Sequence, residues 1–258
     1  MPARPAVPDG APIWLDLTTA DAAANDRAVA FYTALLGWQH ATYGPDFGDY
    51  GAFTKDGAPV AGVGPRATPE QRTAWGVYLR SSDVGATASA VTEHGGSVLA
   101  GPETVPGQGR FLTVVDPTGA EVGFWQPAGN DGYALFGEHG APAWFELWTN
   151  RYEDAVEFYR DAAGWPVSTL SDSPDFRYST YGEGDAAMAG IFDATAVLAD
   201  GGTPSWAVYL GADDVDATAA RAAELGGTPG EAEDSEYGRQ VGVQDPNGTW
   251  FQLISVGD

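Results

Sequence analysis

The stretch DPTGAEVGFWQP, Asp116 to Pro127, has a near twin in DPNGTWFQLISV, Asp245 to Val256. Each Asp-Pro-x-Gly predicts a tight turn. Proline presets one dihedral, the aspartate accepts from the backbone, and glycine permits closure. A largely apolar run follows and reads as a strand. The seventh residue after the aspartate is Gly123 in one copy and Gln252 in the other. The twins belong to a longer match. PIWLDLTT at Pro12 recurs as PAWFELWT at Pro142, and FYTALLGW at Phe31 as FYRDAAGW at Phe158. WGVYLRSSDV at Trp75 recurs in SWAVYLGADDV at Ser205, and GRFLTVVDPTG at Gly109 as GRQVGVQDPNG at Gly238. The offsets run from 127 to 131 residues in one order, which is the mark of a duplication. The join, Gln126 to Pro142, is rich in Gly and Pro and reads as a linker. The expected organisation is a first domain over 11–128, a linker over 129–141 and a second domain over 142–256.

Each half divides again. Ile13, Leu15 and Leu17 alternate with Trp14, Asp16 and Thr18, as a strand requires. Asp26 to Leu36 predicts a helix with Ala28, Val29, Tyr32 and Leu36 on one face, ended by Gly37. Short strands are expected in WQHATY, DYGAFTK and APVAGV. The order then restarts with a strand from Trp75 and a helix over Val84 to His94. Strand, helix and three strands thus occur about four times, giving an α+β class with helices outside and curved mixed sheets around a cup. Leu15, Leu17, Val122 and Phe124 suit the helix-facing side. Trp14, Asp16, Gly123 and Trp125 fall on the other.

Composition narrows the function. The chain has 258 residues, no cysteine, and 12 basic against 36 acidic residues for a net charge of −24. Disulfides, thiolate metal sites and a cysteine nucleophile are excluded. Nucleic acid and anionic membranes are poor partners for so acidic a surface. MPARPAVPDGAP at the N-terminus reads as no secretory leader, and no apolar run is long enough to span a membrane. A cytoplasmic protein is the expectation. No Gly-rich phosphate loop, GxSxG elbow or HExxH is present.

FYxxxxGW after the first strand, DPxG before the last, and the fourfold pattern together resemble the vicinal oxygen chelate superfamily. It contains glyoxalase I, bleomycin-resistance proteins and extradiol dioxygenases. GRFLTVVDPTGAEVGFWQP looks like its two-domain actinobacterial, glyoxalase-like branch. The resemblance implies metal ligands of His, Glu or Gln type on the first and last strands of each quarter. Carried over, those positions are Trp14, the Val60 to Gly62 region, Gly76 and Gly123. In the second half they are Trp144, Met188 to Gly190, Ala207 and Gln252. Only Gln252 could coordinate a metal, and His40, His94 and His139 fall elsewhere. Neither a metal site nor a cofactor is therefore expected.

The positive signal is aromatic. There are 9 Trp. Parity places Trp14, Tyr78 and Trp125 in the first cup, and Trp144, Trp148, Tyr209 and Trp250 in the second, with Gln252 as a polar contact. Trp75, Trp206 and Phe124 fall on the helix-facing side, and Trp38 and Trp165 read as packing. Large flat rings offer apolar area and stacking. The expected partner is an aromatic or apolar small molecule, and a homodimer is compatible with that. Binding without metal, as in antibiotic sequestration or an auxiliary role in a pathway, leads. One alternative is a metal-free isomerase or cyclase using Asp16 or Glu146 as the catalytic base. Another is a divalent-metal glyoxalase- or dioxygenase-type enzyme. Arg110 and Arg239, six residues before their Asp-Pro turns, read as structural ion-pair partners or anion contacts.

Overall fold

Strand, helix and three strands recur in three of the four quarters of the computed structural model, and the fourth has one short strand more; the structure describes residues 7–199 and 201–257. The first six residues of the stretch read for a leader lie outside that range. The first quarter is β1 (Pro12–Thr19), α1 (Ala22–Leu36), β2 (Gln39–Thr42), β3 (Gly51–Lys55) and β4 (Ala58–Pro65). The second is β5 (Trp75–Arg80), α2 (Val84–Glu93), β6 (Ser97–Val105), β7 (Gly109–Val115) and β8 (Glu121–Pro127). The third is β9 (Pro142–Thr149), α3 (Tyr152–Asp161), β10 (Val167–Ser173), β11 (Phe176–Tyr181) and β12 (Gly190–Asp193). The fourth is β13 (Ser205–Ala212), α4 (Val215–Glu224), β14 (Thr228–Pro229), β15 (Glu233–Ser235), β16 (Gly238–Gln244) and β17 (Trp250–Ser255). Strand order is β2-β3-β4-β1-β5-β8-β7-β6 in one sheet and β10-β11-β12-β9-β13-β17-β16-β14 in the other, with β15 on β16. The first and last strands of each quarter pair in parallel and the outer strands antiparallel, so both sheets are mixed.

Local chemistry sets the helix ends. Helix α1 starts at Ala22, ahead of the expected Asp26, because the Asp21 carboxylate accepts from the Ala24 N–H at 2.8 Å and caps it. Gly37 ends it at φ 69°, the left-handed conformation expected there. Its buried face holds Ala28, Tyr32 and Leu36 as expected and adds Phe31 and Leu35, while Val29, expected there, is only half-buried.

The chain forms two compact units that do not follow the duplication. One holds residues up to Trp14 with Val77–Gly132 and Phe145–Trp206. The other holds Leu15–Gly76, Tyr133–Trp144 and the chain from Ala207 onward. The second quarter thus folds with the third, and the first with the fourth. The repeated motifs explain why. In the first-and-fourth unit, Trp75 Nε1 donates to the Tyr32 hydroxyl at 3.0 Å, and that hydroxyl donates to Asp245 at 3.5 Å. In the second-and-third unit, Trp206 Nε1 donates to Tyr159 at 3.0 Å, and Tyr159 donates to Asp116 at 3.0 Å. Asp116 Oδ1 meanwhile accepts from Thr118 N, Thr118 Oγ1, Gly119 N and Ala120 N. The aspartate therefore forms its turn with one oxygen and anchors a helix tyrosine from another quarter with the other. Both tyrosines are buried, which pushes their hydroxyls well above the ordinary value of 10.0, and the nearby carboxylate adds to the rise.

The GW tryptophans act as packing with a polar tether. Trp38 Nε1 donates to the Gly140 carbonyl at 2.6 Å, and Trp165 Nε1 to the Gly10 carbonyl at 2.9 Å. Trp75, Trp206 and Phe124 are core residues, as expected. The interdomain linker is less loose than its composition implies, since Tyr133 and Leu135 are buried.

Candidate functional site

Four last strands carry the positions where the sequence resemblance places metal ligands, and in three of them a tyrosine ring takes the space. In β4, a Cβ on Gly62 would overlap the Tyr50 hydroxyl. In β8, a Cβ on Gly123 would overlap the ring of Tyr78, its cross-strand partner. In β12, a Cβ on Gly190 would overlap the Tyr178 hydroxyl. Any carboxylate or imidazole at these positions would displace a tyrosine. Only β17 differs: Gln252 stands opposite Tyr209, and a Cβ on its other neighbour Gly242 would meet its amide closely, at 3.3 Å from Nε2. Among the described residues no group of three or more His, Asp or Glu side chains is placed to hold a metal ion. The residues present therefore do not fit a superfamily-type metal centre, which needs three or four converging donors.

Two carboxylates lie beside these tyrosines. In the third quarter, Glu146 pairs in register with Gly190 and is 8% exposed. Tyr178 Oη donates to its Oε1 at 2.5 Å, and Trp148 Nε1 donates to its Oε2 at 2.5 Å. Both oxygens are thus engaged by strong donors. Trp148 stands edge-on to Phe192, with centroids 6.2 Å apart, and Phe176 stacks on Tyr178 at 5.5 Å. Beside them Arg177 pairs with Glu153, Asp172 and Asp193 and lies 4.4 Å over the Tyr152 ring.

In the first quarter, Asp16 pairs in register with Gly62, the same place Glu146 holds against Gly190. Here a hollow of about 290 Å³ opens beside Asp16, with Thr18, Tyr50 and Gly64 on the strand side and Phe47, Arg66 and Gln71 around it. Tyr43 lies stacked on Tyr50, and Tyr43 and Phe47 are both exposed. The outer wall is held by its own side chains. Arg66 donates to the Ala20 and Pro69 carbonyls, and Gln71 accepts from the Ala67 N–H.

The remaining expected site residues are spread out. Trp14 and Trp125 are buried, and Trp125 Nε1 donates to the Asn130 carbonyl at 2.8 Å. Trp144 in β9 is half-buried and Tyr209 is buried. Trp250 is 57% exposed, with a ring edge beside Gly242 next to Gln252. Glu146 with Trp148, Trp250 with Gln252, and Tyr209 opposite Gln252 are the expected residues brought together. His40 Nε2 is buried over Gly51 with no hydrogen-bond partner among the described residues, and burial lowers its pKa. Arg239 pairs with Asp216 and Asp234, the structural reading. Sequence reasoning named the regions ending at Gly62 and Gly190 as ligand positions but did not place Tyr50 and Tyr178 over them. The signal for the two glycines was present in VAGVG and MAGIF, whose shared Ala-Gly marks matched strand positions.

Comparison with known proteins agrees with this architecture. The model of the Glyoxalase/Bleomycin resistance protein/Dioxygenase superfamily matches residues 15–124, and that of the Glyoxalase-like domain matches 144–254. The chain is 34% identical to CFP32 of Mycobacterium tuberculosis (strain CDC 1551 / Oshkosh), over 98% of each protein. It is 34% identical to the anthracycline biosynthesis protein DnrV of Streptomyces peucetius, covering 96% of this chain and 94% of DnrV. The Mn(II)-bound glyoxalase from Novosphingobium aromaticivorans shares the fold, with a TM-score of 0.66 at 18% identity over 98% of this chain and 83% of that one.

Proposed function

This chain belongs to the Glyoxalase/Bleomycin resistance protein/Dioxygenase superfamily, and from that premise we propose that it binds an apolar or aromatic small molecule without a metal ion. One observation carries the reading. Tyrosines stand over glycines at three of the four last-strand positions, so rings occupy the places where donors would have to be. What the site offers is flat apolar surface with a few polar groups, the usual make-up of a small-molecule pocket. Its relative DnrV is named for the biosynthesis of anthracyclines, which are polycyclic aromatic compounds. A role as carrier or sequestering protein for such a molecule suits the site.

The test is quenching of intrinsic tryptophan fluorescence by a panel of planar aromatics, with elemental analysis of protein purified without chelator. The expected result is saturable quenching at micromolar ligand and no stoichiometric metal. No quenching across the panel, or a tightly held transition metal, would overturn the proposal.

A second reading is a metal-free enzyme with Asp16 as proton acceptor, favoured by its place in the wall of the hollow beside Tyr50. Glu146 suits that role less, because both its oxygens already accept short hydrogen bonds. Asp16→Asn separates the two readings: an enzyme loses turnover while retaining ligand, whereas a binder shows a change in affinity alone.

A further inference from the structure

The two quarters that begin each half share one register, yet aromatic side chains stand together in one where the other has a hollow. Thr18 pairs with Gly64 at the position where Trp148 pairs with Phe192. Counting two residues back from the matched tyrosines, Gly48 stands where the third quarter has Phe176. Thr18, Gly48 and Gly64 all line the hollow beside Asp16. Three large aromatic side chains have thus been exchanged for one small and two absent ones in a single patch. The acid and its tyrosine are kept: Asp16 and Tyr50 match Glu146 and Tyr178.

We infer that the third quarter carries an internal copy of what the first quarter binds. On this reading, which rests on the small-molecule function proposed above, the ligand of the Asp16 hollow is a fused-ring planar aromatic with a ring N–H or O–H. It lies where Trp148 lies in the other half and directs its donor at the Asp16 carboxylate. The chemistry is shown by Trp148 itself. Its indole N–H donates to Glu146 Oε2, and its ring stands edge-on to Phe192. A carboxylate has about four acceptor positions and takes such a donor alongside others. Phe47, 50% exposed at the rim, and Tyr50 supply ring surface. A volume of about 290 Å³ lies just under the roughly 300–1,000 Å³ typical of ligand pockets. That suits two or three fused rings.

The experiment compares 2-naphthol, indole and naphthalene by calorimetry on the full chain. Two variants, Thr18→Trp alone and Thr18→Trp with Gly64→Phe, install the third quarter's side chains. The wild type is expected to bind 2-naphthol and indole roughly tenfold more tightly than naphthalene, the worth of one hydrogen bond to a charged group. Both variants are expected to lose binding at least tenfold while keeping the wild-type circular dichroism. A Cβ at position 64 would lie 3.1 Å from Tyr50 Cδ2, so the single Thr18→Trp exchange covers the case in which the double variant misfolds. Chemical-shift mapping on the wild type needs no variant, and is expected to move Tyr50, Phe47 and Thr18 first. Equal affinity for naphthalene, undiminished binding by a folded Thr18→Trp protein, or shifts centred elsewhere would overturn the inference while leaving the broader binding function standing. Failure of every aromatic to bind the wild type would sink both.

Discussion

Asp16 and Glu146 hold the same position on matched strands, each facing a glycine, yet their surroundings have opposite characters. Glu146 is enclosed by Trp148, Tyr178 and the Phe176–Phe192 pair, and Arg177 ties the neighbouring strands and helix together with three acidic partners. The residue matching Arg177 by position is Asp49, which takes a left-handed φ of 59° in a loop. Its loop, with Phe47 and Tyr50, forms part of the wall of a hollow. The difference teaches that two copies of one register can carry different side chains around the same carboxylate position, packed in one and open in the other. The aromatic contacts around Glu146 contribute packing that the hollow beside Asp16 does not have.

The comparison is tested most severely by Trp148→Ala. A half-buried indole that also donates to a carboxylate should cost about 3 kcal/mol, read as a fall in the urea midpoint. Thr18→Ala at the matched position should cost under about 1 kcal/mol. Equal effects would mean the halves are packed alike. A smaller contrast is expected between the helix tyrosines. Tyr159→Phe leaves both Asp116 Oδ2 and Trp206 Nε1 without that partner, at a cost of about 2 kcal/mol. Tyr32→Phe should cost less, because its hydrogen bond to Asp245 is longer, at 3.5 Å against 3.0 Å. Denaturant unfolding of the two variants side by side gives the ranking.

The mildest test is alkaline titration, where the two units should agree. Burial raises Tyr32 and Tyr159 well above 10.0, so the folded state holds these protons more tightly than the unfolded state. Their contribution to stability is full below pH 10.0 and is lost as pH rises above it. Absorbance of phenolate should show these two tyrosines ionising only as the chain unfolds, in step with circular dichroism. Early ionisation of either would show that its unit is open.

Much of this was legible in the residues. The duplication, the order of elements and Gly37 as a helix end are local matters of periodicity and turn chemistry, and all are seen in the structure. Strand parity put Trp75 and Trp206 in the core, where they lie, but it did not separate them from Trp14 and Trp125, which are buried as well. The site was legible only in outline. Asp16, Glu146 and Trp148 were singled out, but the tyrosines beside them, Tyr50 ahead of β3 and Tyr178 in β11, come from other segments. The shared Ala-Gly marks the glycine positions along the strands, but not the tyrosine over each, because the ring that fills the space belongs to another segment.

The sequence alone determined a fourfold α+β chain with too few donors at the family's ligand positions, since residue identity settles which atoms can coordinate. Tertiary structure alone decided that the quarters group first with fourth and second with third, because buried hydrogen bonds join residues far apart in the chain. It also decided which carboxylate faces a hollow. Cavity volume depends on how neighbouring strands fill a shared space, and no single strand records that.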